Sequence, residues 1–340
     1  MSPSPKQTSR VLLGIVLVFL SAIFLAVQNV ISRLFFVPSS LFGYVSLGGW
    51  LSPQLSNIVM LLALRMALMA VLLASATTLL YPHTFTALYQ LTKAPKRLAC
   101  VAGSGLCLLV GLTSLYFSLS QVAAGVAIAT FFIYPAITLL LAWRFLQQSP
   151  RAYQLGLMLI IFLGVALTTL GKPVSETTVN SAVATLPSSS TLGILSGLLA
   201  GLSFGLYGIF AEIVLQSTDS RPSLHPVPFS LITFVIVSAI GGFGLFFMPP
   251  LEVAPTAWQP ILSMTVLSAL VTVTAYVLNN FGIRLIGASL TALISASAPA
   301  LTALFAWFAL QETLQLQQLL GIGLVTVGVA TLSVKAKQQR

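Results

Sequence analysis

The segment YPAITLLLAWRFLQ, residues 134–147, returns as APALTALFAWFALQ, residues 298–311. The separation is 164 residues and the register runs on without a gap in both directions. Before the segment, Phe117 and Ala124 fall on Phe281 and Ala288; after it, Gly164-Val165-Ala166 falls on Gly328-Val329-Ala330. The chain is therefore two copies of one unit, and each copy is almost wholly apolar. Duplicated hydrophobic units of this kind build transporters, because the repeat interface supplies a site near the middle of the bilayer.

Composition sets the class independently. Hydrophobic residues make up 57% of the 340 residues and charged residues only 6%, with a mean hydropathy of +1.03. A soluble domain carries about 25% charged residues, so a water-soluble fold is excluded. Helices of about 20 apolar residues cross a hydrocarbon core of roughly 30 Å. Ten such runs are expected, at 11–32, 57–81, 98–119, 122–145, 151–170, 192–215, 227–248, 258–282, 286–309 and 315–334. A β-barrel is a poor alternative, since period-2 alternation is absent. Lys6 and Arg10 precede the first run, as in a signal peptide, but the run exceeds an h-region of about 7–15 residues and no A-x-A site closes it. An uncleaved first span is expected. Cys100 and Cys107 lie seven residues apart on one predicted helix, a separation of about 10 Å that no disulfide bridges.

Basic residues orient the spans. With the N-terminus inside, cytoplasmic segments hold twelve of the 15 Lys and Arg. The opposite side holds Arg33 and Lys172, and Arg65 lies within a span. This asymmetry places both termini in the cytoplasm of a multi-pass protein, expected in the plasma membrane. The net charge of +10 is thus a topology signal; a nucleic-acid partner would need a basic face on a soluble domain, and none is expected.

Five spans per copy is an odd number, so the second copy enters the membrane from the other side. The charges agree: Arg144 and Arg151 follow the fourth span, while Glu312 and no base follows the ninth. The fold class expected is an all-α polytopic membrane protein, ten transmembrane helices in two inverted five-helix repeats. Its parts are a cytoplasmic tail at 1–10, a first repeat at 11–170, an external linker at 171–191 rich in Ser and Thr, a second repeat at 192–334 and a basic tail at 335–340. Aligning Ser21 with Ser203 gives an offset of 182, so the first copy carries 18 extra residues. They fall in 33–56, an aromatic and Gly-rich insert expected at the external interface, either as a lid or as an inert insertion. Residues 83–97 and 216–226 read as cytoplasmic connectors.

The pattern from Tyr134-Pro135-Ala136 through Ala142-Trp143 to Gly164 resembles the EamA-type repeat of the drug/metabolite transporter superfamily. The second copy is the closer match, Ala298-Pro299-Ala300-Leu301-Thr302-Ala303-Leu304 running into Leu310-Gln311-Glu312. Arg65, in Leu64-Arg65-Met66, resembles the arginine these proteins often carry in the second span. The resemblance implies a ten-helix transporter of small metabolites, often an exporter of amino acids or related compounds. One departure stands: Gln148 occupies the place where the family pattern has a glutamate, which puts any paired-glutamate role in doubt.

Several residues stand out against the apolar background. Pro135 and Pro299 sit at equal depth in the fourth and ninth spans. Each removes a backbone donor and frees the carbonyl four residues earlier, at Phe131 and Ser295, so they read as paired kinks that either shape a moving cavity or are structural. Gly193, Gly197, Gly201 and Gly205 form a four-residue ridge, for tight packing or for sliding between states. Polar groups inside spans are costly and mark substrate contacts or interhelical hydrogen bonds: Gln28, Asn29, Arg65, Tyr116, Tyr134, Tyr207, Asn279 and Asn280. Arg65 needs an offset for its charge, from helix carbonyls, from Gln28 or Asn29, or from an anionic group on the substrate.

His83 and His225 fall in predicted loops, and no Asp or Glu lies at the centre of a span. No metal-ligand cluster, phosphate loop or intramembrane Ser–His pair is present, so neither metal, cofactor nor catalytic residue is expected. A metabolite transporter working by alternating access is favoured, with export of amino acids or related compounds foremost. A polytopic membrane enzyme or a channel-like or structural protein is the alternative. The partners expected are the lipid bilayer and a small-molecule substrate, with a homodimer left open.

Overall fold

The computed structural model describes residues 5–52, 54–121, 130–170, 187–216, 223–310 and 315–338. Its long apolar runs form helices because a segment in hydrocarbon must satisfy its backbone internally. In chain order these are α1 (Pro5–Phe36), α2 (Leu55–Leu80), the short α3 (Thr84–Thr92), α4 (Pro95–Gln121), α5 (Tyr134–Leu146), α6 (Ala152–Leu170), α7 (Pro187–Leu215), α8 (Pro226–Gly244), α9 (Trp258–Ile286), α10 (Ala288–Ser295), α11 (Ala298–Leu310) and α12 (Leu316–Gln338). Among the described residues, seven helical segments are long and apolar enough to cross a membrane, and three shorter apolar helices accompany them, at Tyr134–Leu146, Ala152–Leu167 and Leu316–Val329. The molecule is a helical polytopic membrane protein. Large side chains such as Leu79, Val71 and Leu159 stay exposed on its flanks, as a lipid-facing surface requires.

Two parts of the expected layout carry structure of their own. Residues 83–97 hold α3 and, from Pro95, the first turn of α4. The insert at 33–56 contains the only β-structure among the described residues, an antiparallel ribbon of β1 (Ser39–Leu41) and β2 (Val45–Leu47). Phe42 and Gly43 turn the ribbon with φ of 51° and 75°. The turn is anchored: Phe42 N donates to Ala309 O at 2.7 Å and its ring meets Phe308 edge-on. The chain then folds back over the end of α1, with Gly49 N donating to Leu34 O and Leu51 N to Phe35 O. Gly48, at φ 105°, lies against Leu34 O and Val37 O, where any Cβ would collide. The insert therefore caps one end of the bundle, hereafter the ribbon end; α3 marks the opposite end.

Helices pair in a regular scheme. α4 lies along α7, α1 along α9, α2 along α8, and α6 along α12; α2 also meets α9, and α4 meets α8. α5 packs on α7, while α10 and α11 pack on α1. The N-terminal part of α1 approaches the last turn of α9, with Gly14 against Leu285 and Ile286. The C-terminal part of α7 reaches that same end, where Gln216 Nε2 donates to Ile283 O at 3.0 Å. α1 and α7 thus run in opposite directions.

The prolines do not kink continuous helices. Helix stops at Phe132-Ile133 and restarts as α5 at Tyr134; it stops again at Ala296-Ser297 and restarts as α11 at Ala298. Pro135 and Pro299 are each the second residue of the new helix, where a backbone N–H would have no helical acceptor in any case. The two breaks are 164 residues apart, the same offset as the sequence repeat. Their hydrogen bonds also correspond, Ile137 N to Ile133 O at 3.2 Å and Leu301 N to Ser297 O at 3.1 Å.

The glycine ridge of α7 faces the first break. A Cβ on Gly197 would overlap Thr130 Oγ1; on Gly201 it would fall 2.8 Å from Ile133 Cγ2, and on Gly205 2.7 Å from Ile137 Cγ2. Ser118 donates to Gly193 O at 2.7 Å on the same ridge. Close approach of the backbones is what the missing side chains allow.

Candidate functional site

Among the described residues, a buried polar cluster interrupts the apolar interior toward each end. Toward the ribbon end, Gln28 and Ser32 of α1, Arg65 of α2, Tyr116 of α4, and Ser268 and Thr272 of α9 converge. Arg65 is 3% exposed. Its Nη1 donates to Ser32 Oγ and its Nη2 to Tyr116 OH, both at 3.4 Å, and its buried Nε has no partner. Gln28 satisfies its neighbours in one amide orientation, assigned from the surrounding donors and acceptors. Its oxygen then accepts from Arg65 Nη1 and Ser32, while its nitrogen donates to Thr272 Oγ1 at 2.9 Å and Ser268 Oγ at 2.8 Å. The guanidinium is held entirely by neutral groups.

Toward the α3 end lies a shorter chain. Tyr207 OH of α7 donates to Asn280 Oδ1 of α9 at 2.8 Å, Asn280 Nδ2 to Ser230 Oγ of α8 at 2.8 Å, and Ser230 Oγ to Pro226 O at 2.8 Å. Each donor in that chain has a short, direct acceptor.

Between the clusters stands Tyr276 of α9, 8% exposed. It is one turn beyond Thr272 and one turn before Asn280 on α9, and its ring meets Phe234 of α8 edge-on with centroids 5.9 Å apart. An aromatic string, Phe131–Tyr134–Phe204–Tyr207–Phe229, runs beside it with ring centroids 5.2 to 6.4 Å apart. The second helix break is tied to this region, since Tyr134 OH donates to Ala292 O and Ser295 Oγ to Asn279 Oδ1, each at 3.3 Å.

Of the residues singled out in the sequence, Gln28, Arg65 and Tyr116 share one cluster, Tyr207 and Asn280 share the other, and Tyr134 and Asn279 flank the break before Pro299. Asn29 belongs to none of these. It is exposed and donates to Thr302 Oγ1 of α11 at 3.1 Å, because one helical step from Gln28 turns a side chain by about 100°. Ser32, Ser268, Thr272 and Tyr276 escaped the sequence reading. Tyr276 could have been found from its spacing, one turn before Asn280 on the same helix face.

A second site also escaped it. Glu212 of α7 is 2% exposed. Its Oε2 accepts from Ala288 N, the first residue of α10, at 2.6 Å, and its Oε1 from Gln148 Nε2 at 2.7 Å. A carboxylate on a helix N-terminus meets unsatisfied donors and the positive end of the helix dipole. Beside it an open cleft of about 830 Å³ is lined by residues including Arg10, Gln148, Glu212, Gln216, Phe281 and Arg284. His225, just before α8, stacks on Tyr81 with ring centroids 4.1 Å apart, and its Nδ1 accepts from Val227 N. Burial first, then the nearby Arg284 charge, lowers its pKa to about 4, so the ring is neutral at pH 7. Glu312, Gln311 and the 171–186 part of the linker lie outside the described residues. Among the described residues no group of three or more His, Cys, Asp and Glu could hold a metal ion.

Comparison with known proteins matches this architecture. Residues 191–334 fit the EamA-like transporter family. The protein named Uncharacterized transporter sll1319, from Synechocystis sp. (strain ATCC 27184 / PCC 6803 / Kazusa), is 35% identical over 324 residues, 95% of this chain and 93% of its own. Uncharacterized protein MJ1333.1 of Methanocaldococcus jannaschii is 27% identical over 142 residues, 42% of this chain and 96% of its own length. A crystal structure covering 96% of this chain and 97% of its own superposes with a TM-score of 0.64 at 15% identity, a likeness of fold alone.

Proposed function

The chain belongs to the EamA-like transporter family, and from that premise we propose that it moves small organic metabolites across the plasma membrane by alternating access, with export of amino acids or related compounds as its task. The working fold is ten crossing helices in two inverted five-helix repeats: α1, α2, α4, α5 and α6 in the first, and α7, α8, α9, α10–α11 and α12 in the second. The observation that carries this reading is the pair of helix breaks at 132–133 and 296–297, equal in register and flanked by the polar clusters.

The packing scheme supports the inversion. Exchanging the two sets turns the α4–α7 pair into α9–α1 and the α2–α9 pair into α8–α4, and it leaves α2–α8 and α6–α12 unchanged. The opposed directions of α1 and α7 agree with a two-fold axis in the membrane plane. A relative matched over 96% of its length spans only 42% of this chain, about one copy, which supports the duplication. Broken helices at such an interface let one bundle rock against the other around a fixed site.

Proteoliposomes carrying the full chain test the transporter reading. Saturable counterflow of a labelled metabolite is expected; flux without saturation or counterflow would favour a channel. Tags at both termini should be reachable only from the cytoplasm and a tag near Thr178 only from outside. An externally accessible C-terminus would overturn the ten-span inverted layout.

A further inference from the structure

The ribbon is rooted on one copy of the repeat and grips the other. Its root lies on α1, where Gly49 N donates to Leu34 O at 3.0 Å, Leu51 N donates to Phe35 O at 2.9 Å, and Gly48 fits against two backbone oxygens. Its tip rests on α11, with Phe42 N donating to Ala309 O at 2.7 Å and the Phe42 ring edge-on to Phe308 at 5.6 Å. Phe42 and Phe308 stay 46% and 61% exposed, so the tip is the easier end to release. Phe42 also sits at φ 51°, a left-handed backbone that a bulky residue rarely adopts. Strain of that kind persists where surrounding contacts hold it, and the hold on α11 is one such contact.

Beneath the ribbon, Val30 and Leu34 of α1 are buried with Ala306 and Leu310 of α11, and Leu41 of β1 packs on them. This contact has an equivalent at the α3 end. The 182-residue register carries Val30 onto Glu212, and the 164-residue register carries Leu310 onto Leu146, so α1–α11 corresponds to α5–α7. There Gln148 Nε2 donates to Glu212 Oε1 at 2.7 Å, beside the open cleft. The connection 37–54 that carries the ribbon is longer than its counterpart 216–225. Alternating access opens one such contact while the other is closed. Resting on the transporter reading above, we infer that the ribbon is a strap across the ribbon-end gate: the α1–α11 contact seals the path there, and Phe42 has to leave α11 before the path opens.

The test uses the full chain carrying Cys100→Ala and Cys107→Ala. In one arm, Phe42→Cys and Phe308→Cys are bridged by a short bis-methanethiosulfonate reagent in proteoliposomes, and counterflow of a radiolabelled mixture of the standard amino acids is followed. Bridging should abolish counterflow, and a reductant should restore it. In the other arm, a membrane-impermeant maleimide applied to intact cells reads the seal through Ala306→Cys, with no substrate needed. Phe42→Ala and Phe308→Ala should each speed labelling about fivefold, the worth of one aromatic pair, and the double variant no further. Phe42→Gly loses the same ring but also the strain, and should speed labelling less than Phe42→Ala. Counterflow unchanged by bridging would overturn the strap and leave the transporter reading standing. Equal labelling rates in Phe42→Ala, Phe308→Ala and the parent chain would overturn it as well. Absence of counterflow from the unbridged chain would count against the transporter reading, and the labelling would still decide the strap.

Discussion

Tyr116 and Asn280 occupy the same position in the two copies, 164 residues apart, yet their surroundings differ in kind. Tyr116 faces a cation that it meets at 3.4 Å, that Gln28 and Ser32 also hold, and whose Nε has no partner. Asn280 sits in a closed chain of 2.8 Å hydrogen bonds between neutral groups. A satisfied neutral chain stabilises the state it is seen in. An undersatisfied charge favours a state, or a ligand, that completes it. The repeat supplies equal backbones, and the side chains leave one cluster closed and the other with a buried donor to spare.

The largest effect should separate these roles. Arg65→Met removes the charge at similar volume, so transport should be abolished while thermal stability holds or rises by up to about 1–4 kcal/mol, as when buried charges are replaced by apolar groups. Asn280→Ala should do the reverse. It strands the Tyr207 hydroxyl and deprives Ser230 of a donor, costing about 1–3 kcal/mol, while correctly folded protein keeps the substrate KM. Melting in detergent, set beside KM in proteoliposomes, reads both. If both variants lost stability alike, the distinction between a closed chain and an undersatisfied charge would fail.

A smaller effect probes where the halves should agree. Pro135→Ala and Pro299→Ala change the second residue of a helix, where proline is favoured but not required, so stability should fall by less than about 1 kcal/mol in each. Transport should drop several-fold and by matching factors, because without the proline ring the preceding residue is freer to turn helical and helix can propagate into the break. Unequal losses would show that only one break moves.

The smallest effect lies at the α3 end, with His225. Its folded pKa of about 4 is below the unfolded value of about 6.5, so the unfolded chain binds more protons between those limits. Its contribution to stability is therefore full above pH 6.5 and lost as pH falls toward 4. Melting temperatures should decline over that window by a small amount, since the ring is only partly buried, and His225→Asn should flatten the decline. An equal slope in the variant would assign the effect to other groups.

Much of this could be read in the chain. Tyr116, Tyr207, Arg65 and Asn280 were visible because a polar group within an apolar span is costly wherever the helix points. Ser268 and Thr272 were not, since hydroxyls in spans routinely bond the carbonyl one turn back, as Thr272 does to Ser268 O at 2.6 Å. Gln28 and Asn29 read alike as neighbours, and only packing decided that one turns inward and the other toward α11. Glu212 looked like an ordinary residue near a span end. Its role rests on Ala288, 76 residues away, and on a helix restart that no local pattern marks.

Hydropathy and the 164-residue register are sums along the chain, and they were enough to determine a duplicated helical membrane protein with paired prolines. Which polar groups meet, that each helix breaks before its proline, and that Arg65 lacks a full set of partners were decided only by tertiary structure. Those features depend on how each helix is rotated and how closely its neighbours approach, and that is settled by many helices packing together.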